Sequence, residues 1–144
     1  MLSHRKAIES AKDLECVLIL EDDVVFADDF DNKLKQLLKY VPDFDMLFLN
    51  GTLGNFQKAA KENDFIYRVY EMYGAFAYLI KRKFYSTVIS ELEINKGVKS
   101  TDEVYSGLMM SNKIYRAVQP LVFHKRGWSD RTEVIEKGYK HLEK

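Results

Sequence analysis

The sequence predicts an α/β fold: one domain over residues 1–144, built as a mixed, mostly parallel sheet flanked by helices. Three observations predict it. Residues 16–20 and 46–49 are continuous apolar runs of strand length, the mark of strands buried on both faces. Between them, Phe30, Leu34, Leu37, Leu38 and Val41 recur at helical spacing. The composition, 47% hydrophobic and 31% charged with two prolines and seven glycines, is that of an ordered globular chain. At 144 residues it is long enough to bury a core without disulfides.

Taken in order, Ser3 is placed to cap a first helix carrying Ala7, Ile8 and Ala11 and ending near Asp13. The first strand follows at once and ends on the acidic triplet Glu21, Asp22, Asp23. Asp28, Asp29 and Asp31 stand at the start of the next helix, where negative charge complements the helix dipole, and Pro42 stops it. The second strand lies within residues 45–50 and runs into a polar loop at Asn50 and Gly51. Residues 65–80 read as two extended segments, with Gly74 between them as a bend or a close backbone approach. Phe84, Val88, Ile89 and Leu92 mark another helix, and Ser100 with Glu103 has capping-box spacing before a further one. Residues 114–118 and 121–123 read as short strands separated by Pro120, and a polar helix is expected from Arg131 onward.

Charge and cysteine content exclude several classes. Lysine plus arginine equals aspartate plus glutamate at 22 each, so no global field draws the chain to nucleic acid. The single cysteine, Cys16, lies in an apolar run and excludes a disulfide framework. No window approaches the roughly 18 to 20 apolar residues of a spanning helix, and the expected location is cytoplasmic.

Ligands of open α/β sheets bind beyond the carboxyl ends of strands, where Glu21, Asp22 and Asp23 fall. Adjacent carboxylates repel unless a cation or hydrogen-bond donors neutralise them, so the triplet suits Mg2+ or Mn2+ and, through the metal, a diphosphate. A solvated acidic turn capping the next helix accounts for the same residues. Asp102 and Glu103 form a second acidic stretch, fit either to orient or deprotonate a hydroxyl or to serve a helix N-terminus. His124 offers a nitrogen ligand, Lys125 and Arg126 offer cations for phosphate, and Trp128 an aromatic face; a surface histidine and a core-covering ring are the plainer readings. Ser129 and Asp130 suffice as helix caps. His4 is read as structural, bonding a loop near the sheet edge.

Two families share an apolar strand followed by Glu-Asp-Asp. Residues 18–23 and 74–84, with Lys81, resemble the phosphoacceptor receiver domain of bacterial signalling. That domain needs an aspartate where this chain has Asn50, which cannot form an acyl phosphate. The whole chain resembles glycosyltransferase family 25, the lipooligosaccharide biosynthesis enzymes and procollagen galactosyltransferases. The resemblance rests on the order of Leu2-Ser3-His4, residues 19–24, residues 45–51, the Gly74 to Ile80 segment, residues 100–108, and Pro120 through Trp128, Ser129 and Asp130.

The resemblance implies a GT-A-like (Rossmann-like) fold and transfer of a hexose, commonly galactose, from a UDP-sugar to a saccharide or other hydroxyl acceptor, as in lipooligosaccharide biosynthesis. It implies Mn2+ or Mg2+ held by Glu21 and Asp23, the ends of an Asp-x-Asp-like motif, to which His124 would add its nitrogen ligand. Donor contacts would come from Glu21, Asp22, Asn50, Gly74, Lys125 and Arg126, and acceptor activation from Asp102 or Glu103. A lipid-borne acceptor implies peripheral association with a membrane. The family ordinarily places a strand and helix before its Leu-Ser-His segment, so an N-terminally truncated form is expected, either active or an inactive sugar- or protein-binding remnant. An edge strand left uncovered by that unit would pair with a second copy, giving a homodimer.

Overall fold

The apolar runs do form strands, joined by segments rich in charge and glycine. The computed structural model describes residues 2–53 and 58–125. In chain order these form α1 (Leu2–Ser10), β1 (Cys16–Leu20), β2 (Val24–Phe26), α2 (Phe30–Tyr40), β3 (Met46–Phe48), β4 (Thr52–Leu53) and β5 (Ala59–Lys61). They continue through β6 (Ile66–Val69), β7 (Met72–Tyr73), β8 (Ala77–Lys81), α3 (Tyr85–Ile94), α4 (Thr101–Leu108), β9 (Ile114–Ala117) and β10 (Val122–His124). Arg126, Trp128, Ser129, Asp130 and the helix expected from Arg131 lie outside the described residues.

Six strands make the main sheet in the order β1-β8-β3-β9-β6-β5, and β10-β2 and β4-β7 form two small ribbons. The mixed α/β architecture is as expected, but the sheet is mostly antiparallel. Among its pairings only β3 with β9 is parallel. The cause is β8, which inserts between β1 and β3 and runs against both. β1, β3 and β9 still point the same way, so the strand-helix-strand reading had the directions right and the adjacency wrong. A continuous apolar run reports burial on both faces and carries no information about direction. Two strands fit that description, β3, buried throughout, and β8, with Ala77, Tyr78, Leu79 and Ile80 all buried, whereas β1 ends the sheet among the described residues and is largely half-buried.

Side chains alternate across the sheet and feed two cores. Met46, Phe48, Tyr78 and Ile80 face α1, α3 and α4, packing with Ile8, Val88, Leu92 and Tyr105. Leu47, Leu49, Ala77 and Leu79 face α2, packing with Leu37, Leu121 and Val122.

Local signals explain the helix ends. α2 stops at Tyr40 because Val41 precedes Pro42 and is extended, at φ −82° and ψ 133°. α4 begins with the expected capping box: Ser100 accepts from the Glu103 N–H, and Glu103 accepts from the Ser100 N–H. The first helix departs from expectation, since Ser3 lies inside its first turn and it ends at Ser10 rather than Asp13. Cys16 is half-buried, and burial pushes its thiol above the ordinary range, as suits an inert thiol. Among the described residues no helix is long and apolar enough to cross a membrane.

Candidate functional site

The carboxyl ends of β1 and β3 and the start of β8 lie at one end of the sheet, and the acidic triplet emerges there. Its backbone is fixed on both sides. Glu21 N–H donates to the Phe76 carbonyl at 2.9 Å, and Lys125 N–H donates to the Asp23 carbonyl at 2.7 Å. The β2–β10 ribbon pairs Val24 with His124, which carries the histidine back to the triplet.

His124 Nε2 lies 3.1 Å from Glu21 Oε1 and 3.5 Å from Asp23 Oδ1. One ligand atom from each of Glu21, Asp23 and His124 falls within 4.8 Å of the others. Ligands in adjacent positions around an ion at about 2.1 Å are roughly 3 Å apart, so this set fits one small divalent cation with little movement. The Phe76 ring meets the His124 ring edge-on at 4.9 Å and limits its rotation. The side chains of Glu21 and His124 keep 40% and 35% of their surface exposed, enough for a ligand to reach them.

A cleft of about 380 Å3 opens beside this group, lined by residues of α1 (Ser3, His4, Ala7), by Ile19 and Leu20, and by the triplet. That volume suits a small-molecule site. His4 is buried at its inner wall, with Nδ1 2.8 Å from the Tyr78 hydroxyl and Nε2 3.4 Å from Glu21 Oε2. Burial lowers the His4 pKa, opposed by the hydrogen bond and charge of Glu21. His4 does bond to the loop at the sheet edge, as expected of a structural histidine, but that loop is the acidic triplet. Sequence reasoning left His4 out of the site, although the Leu-Ser-His segment was the available signal.

The remaining candidates separate. Asp22 is exposed on the cleft wall, and Lys125 is exposed beside His124. Asn50 spends its amide inside the fold: Nδ2 donates to the Val122 carbonyl at 2.9 Å, and Oδ1 accepts from Gly51 N–H at 2.7 Å and from Arg116 Nη2 at 3.2 Å. Gly74 has φ +113°, and a Cβ there would stand 3.3 Å from Gly51 Cα, so the bend and the close approach both hold. Asp102 grips that bend, with Oδ2 accepting from Gly74 N–H and Oδ1 from Ala75 N–H, both at 3.1 Å. Glu103 is exposed and closes the capping box. Arg126 lies outside the described residues. The site therefore joins Glu21, Asp23 and His124 directly, with Asp22 and Lys125 at its border, and sets Asn50, Gly74 and Asp102 to its supporting backbone.

No curated protein matches the chain. The model of glycosyltransferase family 25 (LPS biosynthesis protein) matches residues 1–104, a span that includes the acidic triplet, Asn50, Gly74, Asp102 and Glu103 and stops before His124. That match covers well over half of the chain and sets aside the receiver reading: the chain belongs to glycosyltransferase family 25.

Proposed function

We propose that this chain transfers a hexose, galactose being the family expectation, from a UDP-sugar to a hydroxyl of a saccharide or lipooligosaccharide, using Mn2+ or Mg2+ held by Glu21, Asp23 and His124. The observation that carries the reading is the convergence of two carboxylates and an imidazole at the mouth of a cleft in a family 25 chain. Two hard oxygens with one nitrogen favour Mn2+ over Mg2+, since Mg2+ prefers oxygen ligands and water. Bound there, the cation would neutralise the charge that develops on the departing nucleoside diphosphate.

The chain's own residues do the rest. Lys125 is exposed directly after His124 and would offer its ammonium to phosphate oxygens. Asp22 on the cleft wall is suited to a ribose or a metal-bound water. Asp102, whose oxygens each accept one N–H and keep a second lone pair, is better suited than Glu103 to orient the acceptor hydroxyl, because its carboxylate is fixed whereas Glu103 serves its helix. β1 ends the sheet among the described residues, and pairing of its outer edge with a second copy would give a homodimer. The exposed apolar residues Ile94 and Val98, beside Lys96 and Lys99, suit contact with an anionic membrane surface that bears the acceptor.

Calorimetric titration with UDP, with and without Mn2+, tests the reading. Metal-dependent binding that is lost in Asp23→Asn is the expected result. A folded protein that binds neither ligand would leave a non-catalytic remnant of the transferase fold.

A further inference from the structure

A chain of hydrogen bonds runs from the core on the α4 side to the cleft. The Tyr105 hydroxyl lies 2.6 Å from the Tyr78 hydroxyl, which lies 2.8 Å from His4 Nδ1; His4 Nε2 then reaches Glu21 Oε2 at 3.4 Å. Tyr78, Tyr105 and His4 are all buried, in a cluster otherwise made of residues such as Ile8, Met46, Phe48 and Val104. The rings fix one another as well: His4 stacks on Tyr78 at 5.8 Å with an interplanar angle of 11°, and Tyr105 stands edge-on to both. Two hydroxyls and an imidazole are costly in such surroundings unless they satisfy one another. Phenylalanine would fill the tyrosine positions as well, so packing alone does not explain the hydroxyls.

The chemistry of the groups gives the chain one direction. The carboxylate of Glu21 only accepts, so the His4 nitrogen that faces it must carry the proton. In a neutral imidazole the other nitrogen then accepts, which makes Tyr78 its donor and leaves the Tyr78 oxygen to accept from Tyr105. We propose that Tyr105, Tyr78 and His4 are positioning residues that hold Glu21 Oε2 through a single His4 tautomer and so present Oε1 to His124 and the cation. The inference rests on the metal reading above and adds the part of the protein that aims the ligand. α4 thereby acts twice, since Tyr105 anchors this chain one turn after Asp102 anchors the Gly74 bend. Groups that merely orient metal ligands are worth about ten- to a hundredfold in metal affinity.

The test combines nitrogen-15 spectra of the histidine rings with Mn2+ titration of the whole chain. In the metal-free wild type, His4 should show a protonated Nε2 and an unprotonated Nδ1. Tyr78→Phe should mix the tautomers and weaken Mn2+ binding about tenfold. His4→Ala should weaken it at least as much, and His4→Gln, whose amide N–H can replace Nε2–H, should recover part of the loss. Mn2+ binding by a wild type whose His4 is protonated at Nδ1, or wild-type spectra and affinity in Tyr78→Phe, would overturn the positioning chain alone. A wild type with the assigned tautomer that takes up no Mn2+ would overturn the metal reading instead.

Discussion

Two acidic segments lie near the same end of the sheet, and the fold treats them in opposite ways. Asp102 spends both oxygens on backbone N–H groups of the Gly74 bend, and Glu103 turns its Oε1 to the N–H and hydroxyl of the Ser100 cap. Around them the polar groups close on one another, with Arg116 donating to the carbonyls of Gly51 and Ala117 and to Asn50 Oδ1. At the end of β1 the neighbours of the carboxylates are imidazoles: Glu21 lies between His4 and His124, and Asp23 is beside His124. Similar residues thus become a structural clamp in one place and an accessible cluster of carboxylates and imidazoles in the other. Backbone N–H groups can only donate, whereas an imidazole can join a carboxylate on a shared cation.

The sharpest way to break the contrast is to neutralise one carboxylate on the open side. Glu21→Gln should weaken Mn2+ binding by at least about a hundredfold, more than loss of a group that only orients a ligand. Its effect on stability without metal should stay within about 1 kcal/mol, because the glutamine oxygen can still accept from His4 Nε2–H. Titration and thermal melting of one sample check both halves. Equal losses in affinity and stability would mean that the two regions do not differ as described.

On the closed side the order reverses. A Cβ at Gly51 would meet Met72 Sδ at 2.6 Å and Cγ at 3.1 Å, and Met72 is buried. Gly51→Ala should therefore destabilise by about 1–3 kcal/mol, read from chemical denaturation. Asp102→Asn keeps one acceptor and replaces the other with a donor that faces a backbone N–H, so a loss of about 1–2 kcal/mol is expected in the metal-free protein, with Mn2+ affinity little changed.

The smallest effect sharpens the comparison from the core between the regions. Burial pushes the hydroxyls of Tyr78 and Tyr105 above the ordinary value of 10.0. A raised folded pKa gives stability that is complete below pH 10 and lost as pH rises beyond it, because the unfolded chain releases its protons first. Wild type should lose up to about 1.4 kcal/mol per pH unit for each tyrosine above that point. Tyr105→Phe should flatten this alkaline limb, as followed by denaturation between pH 9 and about 11.

Much of the framework was legible in the residues. The apolar runs of β1 and β3, the stop at Pro42, the Ser100–Glu103 box and the Asn50–Gly51 loop each depend on neighbours a few positions away. β2, β4 and β5, each two or three residues long, were not foreseen. The acidic triplet and His124 were candidates from the outset, and their proximity spans 103 positions of sequence.

What the sequence determined by itself is therefore local: which segments extend, which coil, where they stop, and that carboxylates follow a buried strand. Tertiary structure decided that β8 enters between β1 and β3, and hence that the sheet is mostly antiparallel. It also decided that the buried His4 reaches Glu21 and that Asp102 turns to the Gly74 backbone. Propensity and periodicity act over one or two turns of chain, whereas strand order and side-chain partners are chosen by the burial of whole faces against one another.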